Sequence, residues 1–281
     1  MTKHKDLIFD VGLHKGEDTG YYLRKGFKVV AFEADPDLIK SCKQKFAKEI
    51  SSGQLRIVEG AIVENIKAGD VVRFYKNNKN TVWGTVVQDW SERNVKLGAQ
   101  SEVIEVKAID FAECLRLYGI PYYMKIDIEG MDTVCLKSLL HFDNKPDYIS
   151  IESDKVSMDN IKAEFQLFDA LGYNAFQIVN QGNITRQKEK RENGEGKFLG
   201  HYFEHGSTGP FGKDLGRKWL NKNQAISKYE SIFIGYKLWG DHSKIKRFIL
   251  LKILRRMVQF LTRNATPGWY DTHARHSNVN S

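Results

Sequence analysis

Four carboxylates stand at the ends of apolar runs, where a side chain could reach a ligand: Asp10, Glu33, Asp127 and Glu129. The first closes Leu7-Ile8-Phe9-Asp10 and is followed by Gly12 and Gly16, then by Glu17-Asp18-Thr19 as a polar helix entry. A strand tip, a glycine turn and a helix N-terminus together let a backbone approach a ligand closely and offer it free N–H groups. The second acid, Glu33, ends Phe27-Lys28-Val29-Val30-Ala31-Phe32 and precedes Ala34. An acid at that place grips ribose hydroxyls in doubly wound folds, so a nucleoside-containing cofactor is expected. The glycines do not follow the G-x-G-x-x-G dinucleotide pattern. Asp10 would repel a pyrophosphate but suits the ammonium of an amino acid. The combination favours S-adenosylmethionine over NAD, with Asp10, Gly12, Gly16, Thr19, Glu33 and Ala34 as its contacts. Gly60 and Ala61, at the third strand end, either border the adenine or are a plain strand end.

The second reactive stretch is Lys125-Ile126-Asp127-Ile128-Glu129-Gly130. Read as a strand, its alternation puts Lys125, Asp127 and Glu129 on one face, successive members roughly 6.5–7 Å apart. At the carboxyl end of a parallel sheet, Asp127 and Glu129 face the ligand crevice. An ion pair with Lys125 is the competing structural role. Asp127 is the first choice for a general base that takes a hydroxyl proton, with Glu129 and His205 as alternates. Asp127, Glu129 and Glu152 could instead hold a divalent metal, Mg²⁺ suiting oxygen ligands. Base catalysis without metal is the preferred reading.

These residues need a scaffold of strands alternating with helices. Asp35-Pro36 opens a helical stripe through Ile50, and Gln54–Val58 reads as the third strand. Val71–Tyr75 and the segment about Thr81–Val86 read as a short antiparallel pair, with Trp83 as a packing residue or a ligand cover. Val103–Ala108 is another strand, and Phe111–Tyr118 a helix ended by Gly119 and Pro121.

The pairing of DVGLHKGEDT…YLRKGFKVVAFEADP with KIDIEGMD resembles the FkbM family of S-adenosylmethionine-dependent O-methyltransferases, over about residues 6 to 236. The resemblance implies an α/β, Rossmann-like class I methyltransferase fold: a seven-stranded sheet with its last strand antiparallel. It also implies methyl transfer to a hydroxyl, often of a sugar, glycan or polyketide. Leu13-His14-Lys15 departs from the commoner form of the family, where small or polar residues stand. In this frame Tyr148–Glu152 is the fifth strand, Asn174–Val179 the sixth and Ser231–Tyr236 the seventh. The fifty residues between the last two form a lid insertion, 180–230, on a methyltransferase domain spanning 1–240. Within it His201, Tyr202 and Glu204, with Glu152 on the fifth strand, are expected to meet the acceptor. Tyr202, Phe203 or Phe211 would stack on a sugar face.

Composition bounds the rest. The chain has 281 residues, 41% hydrophobic content and a net charge of +8. MTKHKD runs into the first strand without an apolar leader, and Cys42, Cys114 and Cys135 form no CxxC pair. A cytoplasmic protein with reduced thiols is expected. Residues 241–281 read as a basic amphipathic helix and an aromatic tail, the tail docking back near the acceptor with His273. Seven Lys or Arg residues and no acid lie between Lys244 and Arg263. That run is too charged to span a membrane but suits peripheral contact with an anionic one. Packing on the domain is its bland alternative. Nucleic acid is not expected as substrate. Two other functions stay open: an NAD-linked sugar oxidoreductase, and a non-catalytic membrane-associated protein that keeps the fold.

Overall fold

The computed structural model describes residues 1–66, 69–77, 84–87, 101–154, 157–189, 194–216, 218–239 and 268–279. Its centre is a seven-stranded sheet. The strands are β1 (Lys3–Val11), β2 (Lys28–Glu33), β3 (Leu55–Glu59), β7 (Ile120–Ile126), β8 (Tyr148–Glu152), β9 (Tyr173–Asn180) and β10 (Tyr270–His276), in the order β3-β2-β1-β7-β8-β10-β9. β10 runs antiparallel to both its neighbours; the β1, β2, β3, β7 and β8 pairings are parallel. This is the class I methyltransferase arrangement. The order reverses between β1 and β7, which is where an open α/β sheet makes its ligand crevice.

The last strand lies elsewhere in the chain than expected. Ser231–Tyr236 is inside a long helix, Lys222–Trp239, and the antiparallel strand is Tyr270–His276. The apolar run misleads because Ala225, Tyr229 and Phe233 bury themselves at spacings of four, as a helix requires. A domain boundary at 240 would therefore sever the sheet. What reads as an aromatic tail is its penultimate strand in space, and His273 is in the core rather than in an acceptor pocket.

Helices α1 (Glu17–Arg24) and α2 (Pro36–Lys45) cover one face with the insertion. Asp35 caps α2, accepting from the Asp37 N–H at 2.8 Å, and Pro36 occupies the first turn. The expected single helix to Ile50 breaks at Phe46, and a short α3 (Ala47–Ser51) follows. The other face carries α4 (Phe111–Tyr118), α5 (Asp132–Leu139), α6 (Met158–Ala170) and α7 (Lys222–Trp239) over a core that includes Phe111, Leu136 and Phe165.

A small second sheet stands beside the crevice: β4 (Ala61–Ile62), β6 (Ser101–Ile109) and β5 (Val71–Asn77). Its β5 pairs antiparallel with β6, and Thr85 meets β5 through an isolated bridge to Tyr75. Trp83 and the basic run 244–263 lie outside the described residues. Among the described residues no helix is long and apolar enough to cross a membrane.

The insertion packs on the sheet through two of its aromatic residues. Phe203 and Phe211 are buried against Tyr21, Tyr22 and Tyr123, Phe211 stacking on Tyr123 with centroids 4.6 Å apart. They fill a second core and are unavailable to a sugar. Lys25, buried on the end of α1, pairs with Glu189 and, at 3.1 Å, with Asp214, which fixes the insertion to the sheet side.

Candidate active site

The register of the parallel strands brings the reactive residues into one row. Val11 pairs with Phe32 on one side and Ile126 on the other, so Gly12 falls between Glu33 and Asp127 at the strand tips. Ile126 pairs with Ile151, which extends the row to Glu152, itself opposite Asp271 on β10. A cleft of about 870 Å³, counted out to its open mouth, lies over the first part of this row.

Three walls enclose it. Glu33, Ala34, Gly60 and Ala61 form one end, with Phe32, Leu38, Ile62 and Phe74 as an apolar side. His14, Glu17, Asp18 and Gly206 form the second wall, and Lys125, Asp127, Glu129 and Met131 the third. Gly12 is the floor. Its φ of +95° is one that side chains avoid, and the Asp127 carbonyl lies directly against it.

Glu33 is fixed before any ligand arrives. Oε2 accepts the His14 N–H at 2.8 Å, and Oε1 accepts those of Ala34 and Asp35, each at 2.9 Å. Burial pushes its pKa up, and the three backbone donors hold it down in part. A carboxylate has about four acceptor positions, so these three donors leave one on Oε2.

Lys125 is the hub of the third wall. Buried at the tip of β7, its Nζ donates to the Gly12 carbonyl at 2.6 Å and lies 3.3 Å from Asp10 Oδ1 and 3.9 Å from Asp127 Oδ2. Thr19 Oγ1 donates to Asp10 Oδ2 at 2.6 Å. Burial pushes Asp10 up while Lys125 pulls it down; the surrounding acids raise Lys125, which stays protonated. The ion pair expected as the competing role of Lys125 thus exists, chiefly with Asp10. Asp127 keeps 41% of its side chain exposed on the cleft wall.

β7 stops at Ile126, so Glu129 is not on a continuing strand. It sits in a turn at φ +48°, and His14 across the cleft is likewise left-handed at +50°. The turn is held by Asp132, which accepts the N–H groups of Ile128 at 2.9 Å and Gly130 at 3.0 Å, and by Thr85 Oγ1 donating to the Glu129 carbonyl at 2.8 Å. Sequence reasoning missed Asp132, Thr85 and Asp18. Asp18 accepts the Thr208 N–H with both oxygens, and burial lifts its pKa to about 7. Acids immediately beside a glycine turn were the available signal for Asp18 and Asp132.

Residues 10–178 match the profile described as the Methyltransferase FkbM domain. The chain belongs to the methyltransferase FkbM family. No curated protein matches it. Among solved structures, it resembles an FkbM methyltransferase from Methylobacillus flagellatus KT at 16% identity and TM-score 0.40, over 64% of this chain and 40% of that one. The aligned part is thus less than half the length of that relative. A precorrin-6Y C5,15-methyltransferase from Geobacter metallireducens GS-15 aligns at 13% identity and TM-score 0.36, over 72% and 77% of the two chains. An rRNA methylase from Streptococcus thermophilus aligns at 11% and 0.35, over 63% and 77%.

The FkbM domain gathers Gly12, Glu33, Ala34, Gly60, Ala61, Asp127 and Glu129 on its cleft. Other expected contacts lie apart from its lining. Asp10 and Thr19 are beneath the floor, tied to Lys125 and to each other. Gly16 starts α1 at φ +75° with Phe46 packed against it, a structural duty. His201 stacks on Tyr21 and meets the Arg24 guanidinium, while Tyr202 is exposed beside Lys188. Glu204 and His205 are exposed, His205 edge-on to Trp269 at 5.8 Å. Of this loop only Gly206 reaches the cleft. Glu152 lies beyond Asp127 in the row; among the described residues no group of three His, Cys, Asp or Glu side chains is placed to hold a metal, so Asp127, Glu129 and Glu152 do not form one.

Proposed function

We propose that the protein is an S-adenosylmethionine-dependent O-methyltransferase acting on a hydroxyl of a sugar or glycan. The observation that carries this reading is the row Glu33–Gly12–Asp127: a hydroxyl acceptor, a bare backbone floor and a half-exposed carboxylate side by side on one cleft. The residues fit the donor. Glu33 has an acceptor position left for a ribose hydroxyl, and Phe32, Leu38, Ile62 and Phe74 offer a flat heterocycle an apolar wall beside the Gly60–Ala61 backbone. When bound, S-adenosylmethionine supplies a methyl group activated on a sulfonium.

The chain's own work is then alignment and proton removal. Asp127, on the wall shared with Lys125, takes the acceptor's proton. Glu129 lines the cleft on the neighbouring turn, where it orients the hydroxyl. The sugar acceptor is supported by the resemblance of the two motifs. Attachment to an anionic membrane through 244–263 rests on the charge of that run alone; binding to phosphatidylserine vesicles, lost without those residues, tests it.

Calorimetric titration with S-adenosylhomocysteine tests the donor. Wild type should bind, and Glu33→Ala should bind about 10- to 100-fold more weakly, the worth of a hydrogen bond to a charged group. No heat with wild type rejects the donor. Transfer of radiolabelled methyl to a panel of deoxysugar-containing acceptors, absent from Asp127→Ala, tests the acceptor class.

A further inference from the structure

Among the described residues the ionisable side chains lining the cleft are unequally matched. Glu17, Asp18, Glu33, Asp35, Asp127 and Glu129 face it, against Lys125 and His14. Several of these acids are already engaged. Glu17 is 3.0 Å from His14 Nδ1, Asp35 caps α2 and lies 3.5 Å from Lys76, and Asp18 holds the Thr208 N–H. Glu33 has its three backbone donors. The cation of the third wall is shared as well. Lys125 is nearer Asp10, which is wholly buried, than Asp127, and one of its N–H groups goes to the Gly12 carbonyl. Asp127 is therefore the less compensated of the two carboxylates, and its half-exposed side chain faces the cleft.

Neighbouring strand tips are about 4.8 Å apart. A ligand gripped through its ribose at Glu33 and laid over Gly12 therefore presents the next group along the chain to Asp127. In an S-adenosyl ligand that group is the sulfur. We propose that Asp127 makes the cleft charge-selective, so that a cationic S-adenosyl ligand binds at least tenfold more tightly than the neutral thioether left after transfer.

The inference rests on the donor reading above and adds a consequence for turnover. In the transfer the S–C bond breaks and an O–C bond forms. The bonding pair returns to sulfur as a neutral thioether, and the acceptor's proton passes to Asp127. Both partners of the attraction lose their charge in one event. The wall that recruits the donor then loses its attraction to the sulfur, so the product is held less tightly than the donor by that one contact.

Calorimetry on the full chain with two unreactive probes tests this. One is S-adenosylhomocysteine, neutral at sulfur; the other is sinefungin, which carries an ammonium at the corresponding place. At low ionic strength sinefungin should bind wild type at least tenfold more tightly, the ratio falling as salt screens the half-exposed charge. Asp127→Asn should bring the two affinities within threefold of each other by weakening sinefungin alone. Equal affinities in wild type overturn the proposal, as does a ratio that survives in Asp127→Asn. If the variant binds neither probe, the wild-type ratio and its salt dependence decide by themselves. If wild type binds neither, the donor reading has failed and this inference with it, an outcome distinct from equal binding.

Discussion

Gly12 and the Asp127 carbonyl are packed so closely that no side chain fits between them: a β-carbon on Gly12 would lie 1.9 Å from that oxygen. The obstacle is backbone and cannot rotate away. Gly12→Ala must therefore push β1 and β7 apart at their tips and also place alanine at φ +95°. Left-handed strain costs about 1–2 kcal/mol and overpacking about 1–3 kcal/mol. The expected loss is roughly 2–5 kcal/mol in urea unfolding, with binding of S-adenosylhomocysteine reduced at least tenfold. An alanine variant with native stability and affinity would mean that the floor is not where the ligand lies.

Lys25 gives a contrasting test away from the cleft. Its ammonium is buried between Glu189 and Asp214 and fixes the insertion to α1. Removing one partner of a buried pair costs about 3–5 kcal/mol because a charge is left without compensation. Lys25→Met should show that loss in chemical denaturation. Lys25→Met/Glu189→Gln should recover part of it, since the double variant removes one of the two stranded carboxylates while the amide oxygen can still accept the Leu199 and His201 N–H groups. Additive losses would show that the cluster is not a coupled unit.

Much of this arrangement was legible in the chain because local chemistry and fold agreed at the strand tips. Asp10, Glu33 and Asp127 end apolar runs, and the glycines sit where the backbone must turn. The cleft half of the site followed from those positions. The last strand was not legible. β10 is buried on both faces, yet Asp271, Thr272 and His273 give it no apolar pattern, while the Ile232–Tyr236 run imitates a strand inside a helix. The insertion failed for a related reason. Phe203 and Phe211 look the same in sequence whether they face a sugar or a core, and only the partners Tyr21, Tyr22 and Tyr123 decide it. Asp10 reads as a ligand contact in sequence because its partner, Lys125, is 115 residues away in the chain and becomes its neighbour only through the β1–β7 register.

Asp132 carries the turn that presents Glu129. Its two oxygens satisfy the Ile128 and Gly130 N–H groups, and burial lifts its pKa to about 6. Asp132→Ala leaves both donors unpaired and should cost about 1–3 kcal/mol. Donor affinity should change less than threefold, because Glu33 and Gly12 are untouched, while methyl transfer falls at least tenfold. Equal losses in binding and transfer would place this turn under the donor instead.

His273 sets the pH response of stability. It is buried in β10, and neither ring nitrogen has a hydrogen-bond partner among the described residues; burial lowers its pKa to about 3. The unfolded chain takes up a proton near pH 6.5, whereas the folded chain refuses it until about 3. Stability present above about pH 6.5 is therefore lost as the pH falls through that window, by at most ~1.4 kcal/mol per pH unit. Asp18, near 7, and Glu164, near 8, act in the opposite direction. Their raised pKa values make the folded state lose stability as pH rises from the ordinary carboxylate range through those values. These contributions are common to wild type and His273→Leu and cancel in the difference between them. Urea unfolding of the pair at pH 7.5, 6 and 5 should show a gap nearly constant above pH 7 that widens in favour of the leucine variant below it. Parallel stability curves across that range would show that the imidazole is hydrated or paired and does not resist protonation.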